Sequence, residues 1–361
     1  MECPHLPQMN YGDFSQQLHD RSLSRRIPLV GSVELTARCN LNCAHCYINL
    51  PSGHEEARKQ ELTLAQWRRL LDEMVEEGCL WLLLTGGEVL VRPDFLEIYT
   101  YAKQRGMLLT LFTNGTLISE PLADHLARWR PFDIQISLYG RTRETYEAVT
   151  RVPGSYDRCL RGIQLLVERQ LPLSLKSMAT TLNYHEIKGM QEWSESLGLK
   201  FFFDPALNPR LDGGQGPCRL RLSPEEVVAL DQADEKRSQE WRGLCERFVG
   251  PHDDDNLYRC YAGINAFHID AYGQLSLCMM VRNGTHNLRQ RPFKEAWANL
   301  YQVRDQKREP QSPCNRCDLV YLCDNCPGWA QLETGDPESS VDFLCKIAQL
   351  RARVFAGKLG A

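Results

Sequence analysis

The sequence predicts an α/β fold: a partial (β/α)6 TIM-like barrel followed by a small cysteine-rich domain. Three observations lead there. Strand-like and helix-like stretches alternate regularly between residues 31 and 209, the alternation yields six strands, and cysteines crowd the segment 260–345 beyond it. Repeated β–α units imply a parallel sheet with right-handed crossovers. Six strands are fewer than the eight that close a barrel, so an incomplete barrel open along one side is expected.

The strand candidates span 31–38, 80–85, 107–113, 132–139, 173–181 and 200–204, with helical patterns at 63–77, 93–105, 120–129, 156–169 and 185–197. From Thr63 onward apolar residues recur at helical spacing, with Thr63 as the N-cap. Pro93 stands where a first helical residue tolerates proline. The Gly/Pro-rich run 208–217 breaks the pattern and reads as a linker. A helix is expected over 223–247, opened by the capping sequence Ser223-Pro224-Glu225-Glu226, and another over 343–355. The region 258–345 shows little periodicity, and its thin apolar core calls for metal to hold it. The chain therefore divides into an N-terminal extension (1–30), the barrel (31–209), a linker with a helix (210–257) and a cysteine-rich domain (258–361).

A net charge of −4 supplies no basic field for nucleic acid or a membrane surface. No apolar run approaches the ~18 residues of a membrane span. Residues 1–28 are polar and broken by prolines, unlike a secretory signal, so a cytoplasmic location is expected. Fifteen cysteines, an odd number without a signal peptide, argue against a disulfide scaffold and for metal ligation by reduced thiols. Cys3, Cys79, Cys159, Cys218 and Cys245 are scattered and read as small buried hydrophobes.

Cys39, Cys43 and Cys46 follow the first strand with the spacing C-x3-C-x2-C. Three thiolates where an iron–sulfur cluster normally takes four leave one coordination position open, and open positions are where chemistry occurs. Barrel enzymes carry their active sites at the C-terminal ends of strands. Those ends here bear the cysteine triplet, Thr85-Gly86-Gly87-Glu88, Thr113-Asn114-Gly115 and Ser137. Taken singly, the triplet also fits part of a zinc site, the glycine pairs fit turns, Ser137 a strand-end serine and Arg151 a solvated surface residue.

Jointly, the triplet followed by an aromatic residue and the Gly-Gly-Glu after the second strand resemble the radical S-adenosylmethionine (radical SAM) superfamily over residues 31–209. The resemblance implies a [4Fe–4S] cluster on Cys39, Cys43 and Cys46. It implies S-adenosylmethionine on the remaining iron, cleaved to methionine and a 5′-deoxyadenosyl radical that abstracts a hydrogen atom from substrate. It further implies that Gly86, Gly87 and Glu88 meet the methionine ammonium and that Asn114 belongs to the cofactor rim. Tyr47 would flank the adenine, Ser137 would reach the ribose or carboxylate, and Arg151 would pair with the carboxylate through its planar fork. Val89 replaces the family's usual proline, a mild departure.

The later cysteines read Cys260, Cys278, Cys314-x2-Cys317-x5-Cys323-x2-Cys326 and Cys345. Alone, the two C-x2-C pairs are a zinc pattern. Downstream of such a barrel they resemble the SPASM extension, which carries two auxiliary iron–sulfur clusters, expected as [4Fe–4S]; its usual last pair is C-x3-C. The resemblance would place Cys314, Cys317, Cys323 and Cys345 on an outer cluster and Cys260, Cys278 and Cys326 on an inner one. The inner cluster's fourth ligand would come from Cys245, Cys218 or another group, or stay open for substrate. An auxiliary cluster can accept the electron released by an oxidation.

The resemblance points to the peptide-modifying branch, and so to a ribosomally made precursor peptide undergoing oxidative cross-linking, carbon–carbon or thioether bond formation, or related maturation. Met279 stands where sulfatase-maturing members carry an aspartate, which sets that activity aside. About 30 residues precede the barrel, too few for a winged-helix peptide-recognition domain, so a separate recognition protein is expected. Flavodoxin or ferredoxin would deliver electrons. A small-molecule dehydrogenase or carbon–carbon bond former is the alternative enzyme, and a non-catalytic cysteine-rich metal-binding scaffold the alternative of another class. Tyr139, Lys176, Asp204, His268 and Asp270 are further catalytic candidates from their places near strand ends or the cysteine region, with structural or solvated roles as the plain alternative.

Overall fold

The computed structural model describes residues 9–48, 50–250, 254–323 and 326–356. Six strands pair in parallel in chain order: β1 (Val30–Thr36), β2 (Trp81–Gly86), β3 (Leu108–Thr113), β4 (Asp133–Ser137), β5 (Leu173–Met178) and β6 (Lys200–Asp204). Their positions agree with the expected six-stranded open barrel. Helices Leu64–Glu76, Phe95–Gln104, Glu120–Arg128, Arg143–Thr150, Ser155–Glu168 and Ile187–Ser196 follow or link these strands. Strand side chains alternate between two faces. On β4, Ile134 and Ile136 are buried, while Asp133, Gln135 and Ser137 on the other face are half-buried. The outward set (Leu82, Leu84, Leu109, Leu111, Leu175) shares one core with Trp67, Leu70, Met74, Ile98 and Leu166 of the helices. The inner face is only half-buried and mixes polar side chains (Gln135, Ser137, Lys176) with apolar ones such as Phe112.

The region expected to be irregular instead extends this sheet. Strand β7 (Ala266–Ile269) pairs in parallel with β1, and β8 (Gln274–Ser276) and β9 (His286–Asn287) continue it antiparallel, giving the order β9-β8-β7-β1-β2-β3-β4-β5-β6. Strands of two to four residues are too short for their periodicity to be read. Gly31 permits the junction: a Cβ there would lie 2.6 Å from the Phe267 ring and 2.8 Å from Leu82. Phe267 in turn packs edge-on against Phe293, with ring centroids 4.9 Å apart.

Three further expectations need correction. The N-terminal extension, read as proline-broken, forms a helix over Tyr11–Arg25 capped by Asn10, because its prolines lie outside those residues. The indole of Trp81, at the start of β2, donates to the Tyr11 hydroxyl at 2.9 Å and stacks on His19, so the helix sits at the barrel end opposite the cysteine triplet. The stretch 143–150, unassigned from sequence, is helical. The single helix expected over 223–247 is two, Pro224–Ala233 and Glu235–Phe248. Asp234 breaks it: its carboxylate accepts the Arg237 N–H and caps the second helix. Just before the break, wholly buried Asp231 binds Arg237 at 2.5 Å and Arg351 of the terminal helix Asp342–Arg351 at 2.9 Å. Among the described residues, no helix is long and apolar enough to cross a membrane.

Asp231→Ala should lower unfolding stability by about 3–5 kcal/mol, since it strips the counter-charge from guanidinium groups, one of them fully buried. Urea unfolding checks this, and an effect below ~1 kcal/mol would show that the pairing is incidental.

Candidate functional site

The triplet's loop is built on a buried ionic cluster. Immediately after β1, Arg38–Cys39 pairs in parallel with Leu50–Pro51 and closes the loop at its base. Below it, Arg38 grips Glu61 with two bonds of 2.8 and 3.0 Å, and Glu61 also accepts the Thr36 hydroxyl. Arg92 lies 3.5 Å from the same carboxylate, donates to the carbonyls of Leu35 and Leu62, and pairs with Asp94 at 2.8 Å. Arg38, Glu61 and Arg92 are all buried.

The loop after β2 is sewn to the same segment. The Gly87 N–H donates to the Thr36 carbonyl at 2.7 Å and the Glu88 N–H to the Arg38 carbonyl at 2.9 Å. A Cβ on Gly86 would collide with the Thr36 carbonyl, and one on Gly87 with the Arg38 carbonyl. Gly86 also has φ of +141°, which favours glycine. The close approach these glycines permit is thus between two protein backbones at the root of the cysteine loop. Glu88 is likewise engaged: its oxygens accept the Thr113 hydroxyl (2.8 Å), the Leu90 N–H (3.1 Å) and the Asn114 N–H (2.7 Å). Burial pushes its carboxyl up to about 6. Asn114 then donates to Asn40 at 2.9 Å and points its amide at the Cys39 sulfur, 3.8 Å away.

The Cys39 sulfur also accepts the Leu41 N–H at 3.3 Å. The loop hangs from the end of helix Arg143–Thr150 through Asn42 N–H to the Thr150 carbonyl (3.1 Å) and Ala44 N–H to Val149 (2.8 Å). Arg151 ends that helix in a left-handed conformation (φ 58°) and is exposed. Burial pushes the Cys39 thiol up to about 12 and the Cys43 thiol well above its usual value, an effect that the Arg151 charge opposes at Cys43. On the far side, the Arg210 guanidinium donates to the Cys46 carbonyl and the Leu211 N–H to that of Tyr47. Sequence reasoning passed over His45, the ring inside the triplet's second gap. It is buried, lies edge-on to Tyr139 at 4.8 Å, and its Nδ1 has no hydrogen-bond partner among the described residues. Burial pulls its pKa down to about 4.

The remaining candidates divide. Tyr139 faces the triplet; burial and the neighbouring Cys43 raise its pKa well above the usual phenol range. Ser137 and Lys176 stand in register on the inner sheet face. Asp204 ends the exposed edge strand β6, where its carboxylate accepts the Ala206 N–H. His268 bonds Ser32 at 2.6 Å and approaches Glu34 at 3.5 Å. Glu34 pairs with Arg282 at 2.9 Å. Burial alone would raise the Glu34 carboxyl, but His268 and Arg282 outweigh it and hold its pKa low. Asp270 accepts the N–H groups of Tyr272 and Gln274 and so shapes the β7–β8 turn.

Among the later cysteines, Cys260, Cys278 and Cys326 lie close enough to influence one another, with burial pushing Cys326 up to about 11. Cys323 hydrogen-bonds Cys345 and draws its thiol down to about 7. Cys314 is buried and Cys317 half-buried in the same region. Cys245 packs with Leu322 and Ala348 beside Cys323, on the side of the outer group. Cys218 is half-buried near Arg221 and Glu333. Cys3 lies outside the described residues. No three His, Cys, Asp or Glu side chains among the described residues converge as a single metal ion requires. The first triplet nonetheless suits an iron–sulfur cluster: three free thiols share one loop, and two N–H groups are directed at the Cys39 sulfur.

Residues 33–193 match the profile of the Radical SAM superfamily. The mycofactocin maturase MftC of Mycobacterium tuberculosis is 37% identical over 331 residues, covering 88% of this chain and 83% of the relative. The AdoMet-dependent heme synthase of Methanosarcina barkeri is 28% identical over 332 residues, covering 84% and 92%. Streptococcus suis SuiB shares the fold at 16–17% identity. Its structures with S-adenosylmethionine and with the precursor peptide SuiA give TM-scores of 0.69 and 0.70, each covering 96% of this chain and 83% of SuiB.

Glu61→Ala should cost about 3–5 kcal/mol, because it leaves the buried Arg38 unpaired. Iron bound per chain after anaerobic reconstitution should fall with it, as the loop loses its base; unchanged stability and iron content would refute the dependence. Gly87→Ala should cost about 1–3 kcal/mol by forcing the Thr36–Arg38 and Gly86–Glu88 backbones apart, read by thermal unfolding.

Proposed function

Because the chain belongs to the radical SAM superfamily, we propose that it is an enzyme of oxidative peptide maturation, acting on a ribosomally made precursor peptide. The cluster on Cys39, Cys43 and Cys46 would supply the electron that cleaves S-adenosylmethionine, giving the 5′-deoxyadenosyl radical that takes a hydrogen atom from the peptide. The observation that carries this reading is the triplet's position: three free thiols on a loop at the C-terminal rim of an open barrel, sewn to Gly87 and Glu88. The peptide substrate is supported by the similarity to the mycofactocin maturase along most of both chains.

In this reading the 86–88 backbone, Ser137 and Arg151 line the S-adenosylmethionine seat, with Tyr47, His45 and Tyr139 as its aromatic wall. Glu88 and Asn114 position the Cys39 end of the loop. Residues 31–209 generate the radical, 1–30 are an N-terminal extension whose helix Tyr11–Arg25 sits at the barrel's far end, 210–257 link the parts, and 258–361 carry two auxiliary clusters. Cys314, Cys317, Cys323 and Cys345 would hold one cluster, and Cys260, Cys278 and Cys326 the other. Fifteen cysteines support action in the reducing cytoplasm, with flavodoxin or ferredoxin as electron donor and a separate peptide-recognition protein as partner. A small-molecule substrate is the second reading, favoured by the similarity that spans 92% of a heme synthase.

Anaerobically reconstituted enzyme with dithionite and S-adenosylmethionine should release 5′-deoxyadenosine, and Cys39→Ala should reduce the release to background. A wild-type preparation with fully loaded clusters that releases none would overturn the enzymatic reading. Deuterium transfer into 5′-deoxyadenosine from a labelled peptide encoded beside the gene would support the peptide reading; transfer only from an iron porphyrin would replace it with the second.

A further inference from the structure

Several cations around the barrel mouth already have counter-charges. Arg282 is paired with Glu34 at 2.9 Å and Asp270 at 3.4 Å, while Arg38 and Arg92 share Glu61. Lys176 differs. It stands on the inner face between Ser137 of β4 and Phe202 of β6, in register with both. Its ammonium lies over the Phe112 ring, 2.7 Å from the centroid, and no hydrogen bond or ion pair joins it to any described residue. The carboxylate on the adjoining strand, Asp133, is engaged by Ser174 at 3.2 Å and Gln135 at 3.0 Å toward the other end of β4. An aromatic face attracts a cation but accepts none of its three N–H donors in the way water or an oxygen does. Withdrawal from water accordingly lowers the lysine's pKa well below its usual value, with Asp133 opposing only in part.

A cation so placed, on the inner sheet face with its donors unused among the described residues, is matched by an anion brought in from outside. We propose that Lys176 is the contact for a carboxylate of the substrate, and so a specificity-determining residue of the barrel. This rests on the reading of the barrel interior as the substrate chamber. Phe112 keeps the ammonium on the inner face, and Ser137 beside it places the carboxylate next to the S-adenosylmethionine seat. Lysine suits the task because a compact point charge on a flexible stem accepts a carboxylate in more than one orientation. Two sources share this chemistry: the carboxylate of a peptide and the propionate of a porphyrin.

The test measures binding to the reconstituted holoenzyme with S-adenosylmethionine present, using two probe pairs. One is a short peptide as free acid and as amide; the other is an iron porphyrin with free propionates and its methyl ester. In the wild type, the acid member of one pair should bind on the order of ten- to a hundredfold more tightly than its neutral counterpart, as a charge-assisted hydrogen bond supplies. Which pair discriminates identifies the source. Lys176→Met should abolish the preference, Lys176→Arg should restore most of it, and Lys200→Met, at the exposed start of β6, should leave it intact. The proposal is overturned if the wild type prefers neither acid, if Lys176→Met keeps the preference, or if that variant loosens S-adenosylmethionine in place of the probe. Release of 5′-deoxyadenosine by the wild type without any probe is scored separately, so failure of the carboxylate contact is distinguishable from failure of the radical reading.

Discussion

The bidentate pairing of Arg38 with Glu61, shared with Arg92, is the constraint from which the site is assembled. Arg38 immediately precedes Cys39, so the angle at which the cysteine loop leaves β1 is set by a guanidinium that cannot rotate without breaking two charged hydrogen bonds. Taking such charges out of water is expensive, and only complete pairing makes it tolerable. Here the pairing is dense: Glu61 serves Arg38, Thr36 and Arg92, and Arg92 reaches back to the carbonyls of Leu35 and Leu62. A buried network that is fully satisfied has one arrangement. That rigidity passes to the Gly87 and Glu88 N–H bonds, to Glu88, to Asn114 and finally to the Cys39 sulfur.

The electrostatics of the rim follow from the same burial. Thiols pressed into a dehydrated loop hold their protons tightly, and Cys39 and Cys43 are both pushed upward. Ligation requires thiolates, so loading a metal there must release protons and becomes more favourable as pH rises. Arg151 lightens the cost at Cys43. Farther inside, Glu34 remains charged because His268 and Arg282 face it from the C-terminal region. Arg282 lies four residues after Cys278, so one carboxylate on β1 ties the barrel to the segment that carries the later cysteines.

Much of this was legible in the residues. Thr63 caps its helix as expected, doing so through a box with Gln66, and the six strands lie close to where the alternation put them. The cysteine spacings and the Gly-Gly-Glu pointed to the superfamily directly. Gly86 and Gly87 stand out in the sequence for the close backbone approach they allow, and the backbone their Cα atoms lie against is that of residues 36–38. Asp270 and Asp204 are catalytic candidates by position near strand ends, with a structural role as the plain alternative; in the fold their carboxylates accept neighbouring backbone N–H groups. His45 was overlooked because one ring in a two-residue gap has no pattern until burial leaves its Nδ1 without a partner among the described residues.

Local information sufficed wherever the determinant was local: helical spacing, a capping side chain, a run of thiols at fixed intervals. By itself the sequence therefore determined the barrel's elements, the order in which they follow and the identity of the metal-ligand candidates. Only the tertiary structure decided that β7 joins β1, that Glu61 lies beneath Arg38 twenty-three residues away, and that Lys176 reaches Phe112 across an intervening strand. Each of these is a contact between distant segments. Its energy comes from burial and charge pairing, which depend on what surrounds a residue in space and leave no periodic mark along the chain.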